Sequence, residues 1–311
     1  MAEPIAGARD AAGPTADTLT VIIPSYNMQD MTQRAVSSVR ANSETVRIII
    51  IDDASQPPLK LPRDMTEHPR TCVIRHEENR GASAARNTGV VHAETAWLSF
   101  LDADDVWLPD TLTARLHYVD ACIAEHRLNA GTLATSLFSC GWLERDRNGE
   151  LRARIPGAAS TLDAFASGCW YCPGSTLIAH SSVYRDDAMR FDENLPRLED
   201  FEWGLRFGKR GGRLFVADKA TVRIDPANRT SLARIDEAAE AIRAHHGELE
   251  IAQPQAWRRM NAYLQLERVA AAWRDGQYSS ALAAIMLSYL WKPRIRRHFS
   301  PGWTFRSPSA S

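Results

Sequence analysis

Acidic residues cluster at three points of this chain in a way that suits chemistry: Asp52-Asp53, Asp102-Ala103-Asp104-Asp105 and Glu199-Asp200. The first two clusters follow short apolar runs, residues 47–51 and 97–101, and a similar run at 19–23 ends in Pro24-Ser25-Tyr26-Asn27. Runs of this kind fit strands covered on both faces of a parallel sheet. Open α/β sheets bind ligands beyond the carboxyl ends of their strands, which is where these polar residues fall. Five carboxylates at adjacent strand ends repel one another unless a cation or hydrogen-bond donors sit between them. A divalent cation resolves this, because Mg²⁺ or Mn²⁺ takes oxygen ligands, commonly one or two protein carboxylates plus phosphate oxygens of a substrate. A lone Asp pair is more simply read as a helix or turn cap. Two clusters at two strand ends weaken that reading.

The elements that must position these residues are legible as well. Between the first two runs, Met28, Met31, Ala35, Val36 and Val39 recur at three- and four-residue spacing, which puts them on one face of a helix. Asn27 stands where it would cap that helix. The alternation continues with a strand at 71–75, a helix at 83–92, a strand at 97–101 and a helix at 111–127, the pattern of a doubly wound α/β half. The pattern then loosens, with strands expected at 133–138 and 175–180 and an Asn148-Gly149 turn between two extended pieces. From Ser231 the pattern is helical, over 232–245, 255–274 and 278–290. Asp275-Gly276-Gln277 breaks the last two into a hairpin, and one copy makes packing rather than a repeat array.

Composition excludes several classes. A chain of 311 residues, 44% hydrophobic, can bury one large core with an appendage. Its net charge of -1 gives no general attraction to a phosphate backbone, so nucleic acid is not an expected partner. Residues 1–17, rich in Ala, Gly and Pro, read as a disordered leader without a signal-peptide core. The longest apolar stretch, 281–291, is shorter than the ~20 residues that span a bilayer. Five scattered cysteines suit a reducing cytoplasm, and Cys169-Trp-Tyr-Cys172 lacks the second ligand pair of a zinc site. No Gly-x-Gly-x-x-Gly follows the first strand and no Walker-type loop occurs, which disfavours dinucleotide and P-loop enzymes.

Six segments in order resemble family 2 glycosyltransferases. They are Val21-Ile-Ile-Pro-Ser-Tyr-Asn27, Ile48-Ile-Ile-Ile-Asp-Asp-Ala-Ser55, Asn79-Arg-Gly-Ala-Ser-Ala-Ala-Arg-Asn-Thr-Gly89, Phe100-Leu-Asp-Ala-Asp-Asp-Val-Trp-Leu-Pro-Asp110, Phe191-Asp-Glu-Asn-Leu195 and Leu198-Glu-Asp-Phe-Glu-Trp-Gly-Leu-Arg206. The resemblance covers about residues 19–230 and implies the GT-A nucleotide-diphospho-sugar transferase fold, a doubly wound, mostly parallel central sheet. A catalytic domain at 18–230 and a helical extension at 231–311 follow from it. It further implies an inverting transferase that moves a sugar from a nucleotide donor, commonly a UDP-sugar, to an acceptor hydroxyl, in exopolysaccharide, lipopolysaccharide or other surface glycan synthesis.

Roles carry over residue by residue as what the resemblance implies. Asp53 reads the base, with Pro24, Ser25, Tyr26, Asn27 and Asp52 lining the same pocket. Arg80 and Arg86 approach the nucleotide and its phosphates, although an ion pair of Arg86 with Asp52 or Asp102 is an equal alternative. Asp102-Ala103-Asp104 matches the Asp-X-Asp motif, Asp102 near the ribose and Asp104, with Asp105, on Mn²⁺ or Mg²⁺. Asp200, beside Glu199 on the acceptor side, acts as general base. Many relatives carry a His after the last domain strand that can join the metal or phosphate shell, and this chain has there Asp225, an acceptable hard-cation ligand. Trp142, Trp170 and Tyr171 could stack on acceptor sugars or serve as core aromatics.

Two alternatives stay open from sequence. A haloacid-dehalogenase-like phosphatase also uses an Asp-X-Asp pair after an apolar strand, and an inactive sugar-nucleotide binder needs no base at Asp200. The expected location is cytoplasmic. Trp291, Phe299, Trp303 and Phe305 interleave with Lys292, Arg294, Arg296, Arg297 and His298, a tail that suits an anionic membrane carrying a lipid-linked acceptor, or packing on the domain.

Overall fold

The computed structural model describes residues 12–145, 150–168, 174–224 and 231–291. Its strands are β1 (Leu19–Ser25), β2 (Arg47–Asp52), β3 (Thr71–Arg75), β4 (Trp97–Phe100), β5 (Val106–Trp107), β6 (Ser136–Arg145), β7 (Leu151–Arg154), β8 (Ile178–His180) and β9 (Arg213–Ile224). The longer helices are α1 (Gln29–Asn42), α2 (Gly81–His92), α3 (Leu112–His126), α4 (Glu199–Lys209), α5 (Leu232–His245), α6 (Pro254–Arg274) and α7 (Tyr278–Trp291).

The strands form one 9-stranded sheet in the order β3-β2-β1-β4-β8-β6-β9-β5, with β7 paired to β6. The β3-β2-β1-β4 part is parallel, and β8 runs antiparallel to β4. Side chains alternate across these strands with a period of two. Ile22, Ile49 and Ile51 enter one core with residues of α2 and α4, while Val21, Ile23, Ile48 and Ile50 enter the other with residues of α1 and α3. Both faces of β1 are therefore covered, the physical reason its sequence is apolar without alternation. The register sets Ser25 beside Asp52 and Ile22 beside Phe100, so the three polar strand ends lie next to one another.

Three local expectations are corrected. Asn27 does not cap α1: its φ is 54°, and its side chain instead accepts from the Gln56 backbone N–H at 2.7 Å. The stretch 133–138 begins as a short helix, Ala130–Leu133, because Asn129 accepts from the N–H groups of Gly131 and Thr132 and caps it. The stretch 175–180 begins as a 3-10 turn, Gly174–Thr176, whose Ser175 is engaged elsewhere. The Asn148-Gly149 turn lies outside the described residues, between β6 and β7, which pair antiparallel up to Arg145 and Leu151.

Helices α5 and α6 pack on the core that also takes residues of α2 and α4, and Ile242, Met260, Tyr263 and Leu264 belong to it. Tyr263 packs at a tilt of 32° on Phe201 of α4 with ring centroids 4.3 Å apart, so α6 braces the helix that opens with Glu199 and Asp200. No helix among the described residues is long and apolar enough to cross a membrane.

Candidate active site

The ends of β1 and β2 are tied to each other. Asn27 donates its N–H to Ser55 Oγ at 2.9 Å, and Ser25 Oγ shares a hydrogen bond with Thr32 Oγ1 at 2.7 Å. Asp52 accepts from the N–H groups of Ser55 and Leu59, at 2.9 and 3.2 Å, and pairs with Arg75. Burial alone would raise its pKa, but these donors outweigh burial and hold the carboxyl below the usual range. Asp53 takes His76 Nδ1 at 2.7 Å and the N–H groups of Arg80 and Gly81 at 2.9 and 2.7 Å. It thereby satisfies the bare N-terminus of α2, where a carboxylate also meets the positive end of the helix dipole. Gly81 has φ of 87°, a left-handed turn that lets the chain enter α2 beside that carboxylate.

Of the expected nucleotide residues, Ser25, Asp52 and Asp53 are thus buried and committed to holding the loops. Pro24 is half-buried, and Tyr26 and Arg80 present their side chains to solvent. Arg80 reaches Glu193 at 2.9 Å, and the other Glu193 oxygen accepts from Asn87 at 2.9 Å. Asn87 also exchanges two hydrogen bonds with the Phe191 backbone, clamping the 191–195 segment onto α2.

Arg86 is the hub of the site. Its guanidinium, 4% exposed, donates to Asp102 Oδ1 at 2.9 Å and to Glu199 Oε1 at 3.1 Å, and lies 3.8 Å from Asp200 Oδ1. The partner is Asp102, not Asp52. Burial works against the charge, but the three carboxylates prevail and lift the pKa well above its usual value. The guanidinium also lies over the Phe191 ring, 5.5 Å from its centroid. One buried cation therefore joins the β4 end to the start of α4.

Within the Asp102–Asp105 loop the carboxylates divide. Ser175, fully buried, accepts from the Asp102 N–H at 3.0 Å and donates to Asp105 Oδ2 at 2.5 Å. Asp105 is buried and turned inward to that serine, and Ala103 is buried beneath the loop. Asp102 and Asp104 are the half-exposed members. Among the described residues no group of three or more His, Cys, Asp and Glu side chains is arranged to hold a metal. Two half-exposed carboxylates fit a cation that completes its shell on substrate phosphates rather than inside a protein cage. Of the other expected ligands, Asp105 is used as an anchor and Asp225 lies outside the described residues.

At the start of α4, Leu198 has φ of 64°, a conformation costly for a branched side chain. It aims Glu199 and Asp200 at Arg86. Burial raises the Asp200 pKa to about 6 against the pull of Arg86, with Glu199 and Asp102 adding to the rise. Glu199 is also pushed up by burial, but the Arg86 and Arg197 cations outweigh this and keep its pKa low. The pair thus divides into a fixed anion and a carboxyl that can exchange a proton near neutrality. Glu202, one turn on, is buried between Arg206 and His246 Nε2, at 2.8 and 3.2 Å. Burial opposes its charge, yet these partners hold its pKa at about 2, so it is a structural anion.

Trp170 and Tyr171 lie outside the described residues. Trp142 is a core aromatic, its indole N–H donating to Glu144 at 3.2 Å. Four residues that sequence reasoning did not single out shape the site: His76, Asn87, Ser175 and Glu193. Asn87 and Glu193 sit inside recognised motifs and were detectable there. His76 and Ser175 are joined to their aspartates only by the fold.

Residues 20–122 match the model of glycosyl transferase family 2. A pre-mycofactocin glycosyltransferase of Mycobacterium tuberculosis is 30% identical over 240 residues, covering 73% of this chain and 46% of that protein. The succinoglycan biosynthesis protein ExoW of Rhizobium meliloti is 41% identical over 101 residues, covering 30% of this chain and 31% of its own length. This chain spans about half the length, or less, of these relatives. The crystal structure of S. aureus TarS 1-349 in complex with UDP-GlcNAc superposes with a TM-score of 0.60 at 17% identity, covering 86% of this chain and 79% of that one. The likeness shows the fold, which is the GT-A fold expected from the motifs.

Proposed function

The chain carries a glycosyl transferase family 2 domain, and on that premise we propose that it is an inverting glycosyltransferase, moving a sugar from a nucleoside diphosphate donor, a UDP-sugar, to an acceptor hydroxyl in surface glycan synthesis. The observation that carries the reading is the Arg86 cluster, which sets Asp102 and the Glu199-Asp200 pair on one guanidinium. Donor-side and acceptor-side groups of a single displacement must stand this close. Similarity to the succinoglycan biosynthesis protein ExoW supports the substrate class.

In this reading Asp200, ionised above pH ~6, takes the proton of the acceptor hydroxyl. The acceptor oxygen attacks the anomeric carbon as the bond from that carbon to the diphosphate oxygen breaks, and the configuration inverts. Glu199 stays ionised beside Arg86 and orients the guanidinium. Tyr26 and Arg80 are the solvent-facing groups available to the nucleotide, while Asp52, Asp53 and Ser25 hold the pocket wall. Asp104 with Asp102 would hold Mn²⁺ or Mg²⁺, which when bound would neutralise the departing diphosphate. Trp170 and Tyr171 would offer rings to an acceptor sugar, and the basic, aromatic composition of the tail after Trp291 suits a membrane carrying such an acceptor. Donor and cysteine usage both suit the cytoplasm.

The test is a panel of nucleotide sugars with Mn²⁺, scored for transfer or for slow donor hydrolysis, beside calorimetry of UDP. Turnover of one sugar nucleotide and none of generic phosphoesters is expected. Binding of UDP with no turnover of any donor would make the chain a binder, and phosphoester hydrolysis would make it a phosphatase.

A further inference from the structure

Helix α7, Tyr278–Trp291, contains no charged residue. Its inner stripe is made of small side chains: Ala281, Ala284 and Ser288 are buried against α6, and Ser288 Oγ donates to the Ala262 carbonyl at 3.3 Å. These small groups let the two helices approach closely. The opposite face is also apolar and is open. Leu282 is 60% exposed, Met286 69% and Leu290 79%, with Tyr278 and Tyr289 about half exposed beside them. Trp273, at the end of α6, is 55% exposed and meets Tyr278 edge to face at 5.1 Å.

A helix that is apolar all round is normally buried on every side. Contiguous apolar exposure on this scale marks an interaction surface. The 14 residues of α7 reach ~21 Å, short of the ~30 Å hydrocarbon core of a bilayer, so the helix cannot span one. Charge selects between a protein and a lipid occupant. From Gly276 to Ser311 the sequence has no Asp or Glu, while Lys292, Arg294, Arg296, Arg297 and Arg306 follow the helix among Ile295, Phe299, Trp303 and Phe305. Two copies meeting through α7 would bring like charges together with no acidic partner in this region. An anionic lipid surface supplies both halves of what is missing, an apolar layer for the face and phosphates for the cations. Tyr and Trp rings at the rim suit the headgroup level.

We propose that α7 docks in the plane of an anionic membrane, with Leu282, Met286 and Leu290 entering the boundary between headgroups and acyl chains. It shares only the basic tail with the preceding reading, and its test needs no donor, metal or acceptor. The full chain is sedimented with vesicles of phosphatidylcholine alone or with about 30% phosphatidylglycerol. Wild type and a Leu282→Glu/Met286→Glu/Leu290→Glu variant are compared. All three side chains are solvent-exposed, so the melting temperature should be unchanged, which circular dichroism checks. The expected result is binding to the anionic vesicles, salt-sensitive, and weakened at least about tenfold in the variant. Equal binding of wild type and variant, or equal binding to neutral vesicles, overturns the proposal. So does a wild-type dimer in ultracentrifugation that the variant abolishes in the absence of vesicle binding, since the face would then serve self-association.

Discussion

Replacing Asp200 by Asn separates a catalytic carboxylate from a structural one by the sign of its effect on stability. The amide is nearly isosteric with a protonated carboxyl, so the variant reproduces the protonated state at every pH. The folded-state pKa of Asp200 is about 6, above the ~3.9 of an exposed aspartate. The folded protein therefore binds this proton more tightly than the unfolded chain. Stability from the group is greatest below pH ~4 and declines as pH rises through about 6. The ionised form at pH 7–8 is therefore strained, by on the order of a few kcal/mol. Glu199, coupled to the same Arg86, moves the opposite way and offsets part of it. Asp200→Asn should accordingly stabilise the fold by about 1–3 kcal/mol, a rise of a few degrees in Tm. At the same time transfer should fall ~10²- to 10⁴-fold with UDP affinity kept. If Asp200 merely favoured the α4 dipole, the variant would instead lose about 0.3–1 kcal/mol and leave chemistry alone. Differential scanning calorimetry at pH 7.5, donor turnover and UDP calorimetry on the same preparation decide it. A lowered Tm with turnover within a few-fold of wild type would refute the reasoning.

Other consequences can be measured alongside. Wild-type turnover should fall tenfold per pH unit below about 6, as Asp200 takes up its proton, and a rate flat to pH 5 would remove it as the base. Asp104→Ala should lose the gain in UDP affinity that Mn²⁺ gives over a chelator; equal, metal-independent affinity in both proteins would remove Asp104 as a ligand. Ser175→Ala takes a donor from Asp105 and an acceptor from the Asp102 N–H, and should cost about 1–3 kcal/mol of stability together with metal-dependent UDP affinity. Glu202→Gln strips a buried anion from Arg206 and His246 and should cost about 3–5 kcal/mol. The wild-type Glu202 pKa is lowered to about 2, so its contribution is complete above pH ~4.5 and is lost as pH falls toward 2, a loss the Gln variant should not show in acid melts.

Much of this protein was determined by its sequence alone. The runs ending at Pro24, Asp52 and Asp102 are strands because residues covered on both sheet faces must be apolar throughout, a local property that periodicity reports. The acidic motifs were legible in the sequence for the same reason, since each motif is contiguous. Only the tertiary structure decided how each carboxylate is held. Asp52, Asp53, Asp105 and Glu202 look like Asp102 and Asp200 in sequence, yet the first four are held by Arg75, the α2 N-terminus, Ser175 and the Arg206–His246 pair, whereas Asp102 and Asp200 stand at Arg86. A carboxyl's proton affinity depends on burial and on its nearest cations. For Asp200 the nearest is Arg86, whose other partners Asp102 and Glu199 lie 16 and 113 residues away from it in the chain. The same holds for α7, whose composition is apolar on every side. Only the packing of Ala281, Ala284 and Ser288 against α6 determines that Leu282, Met286 and Leu290 face outward, because the helix has two apolar faces and its neighbour covers only one.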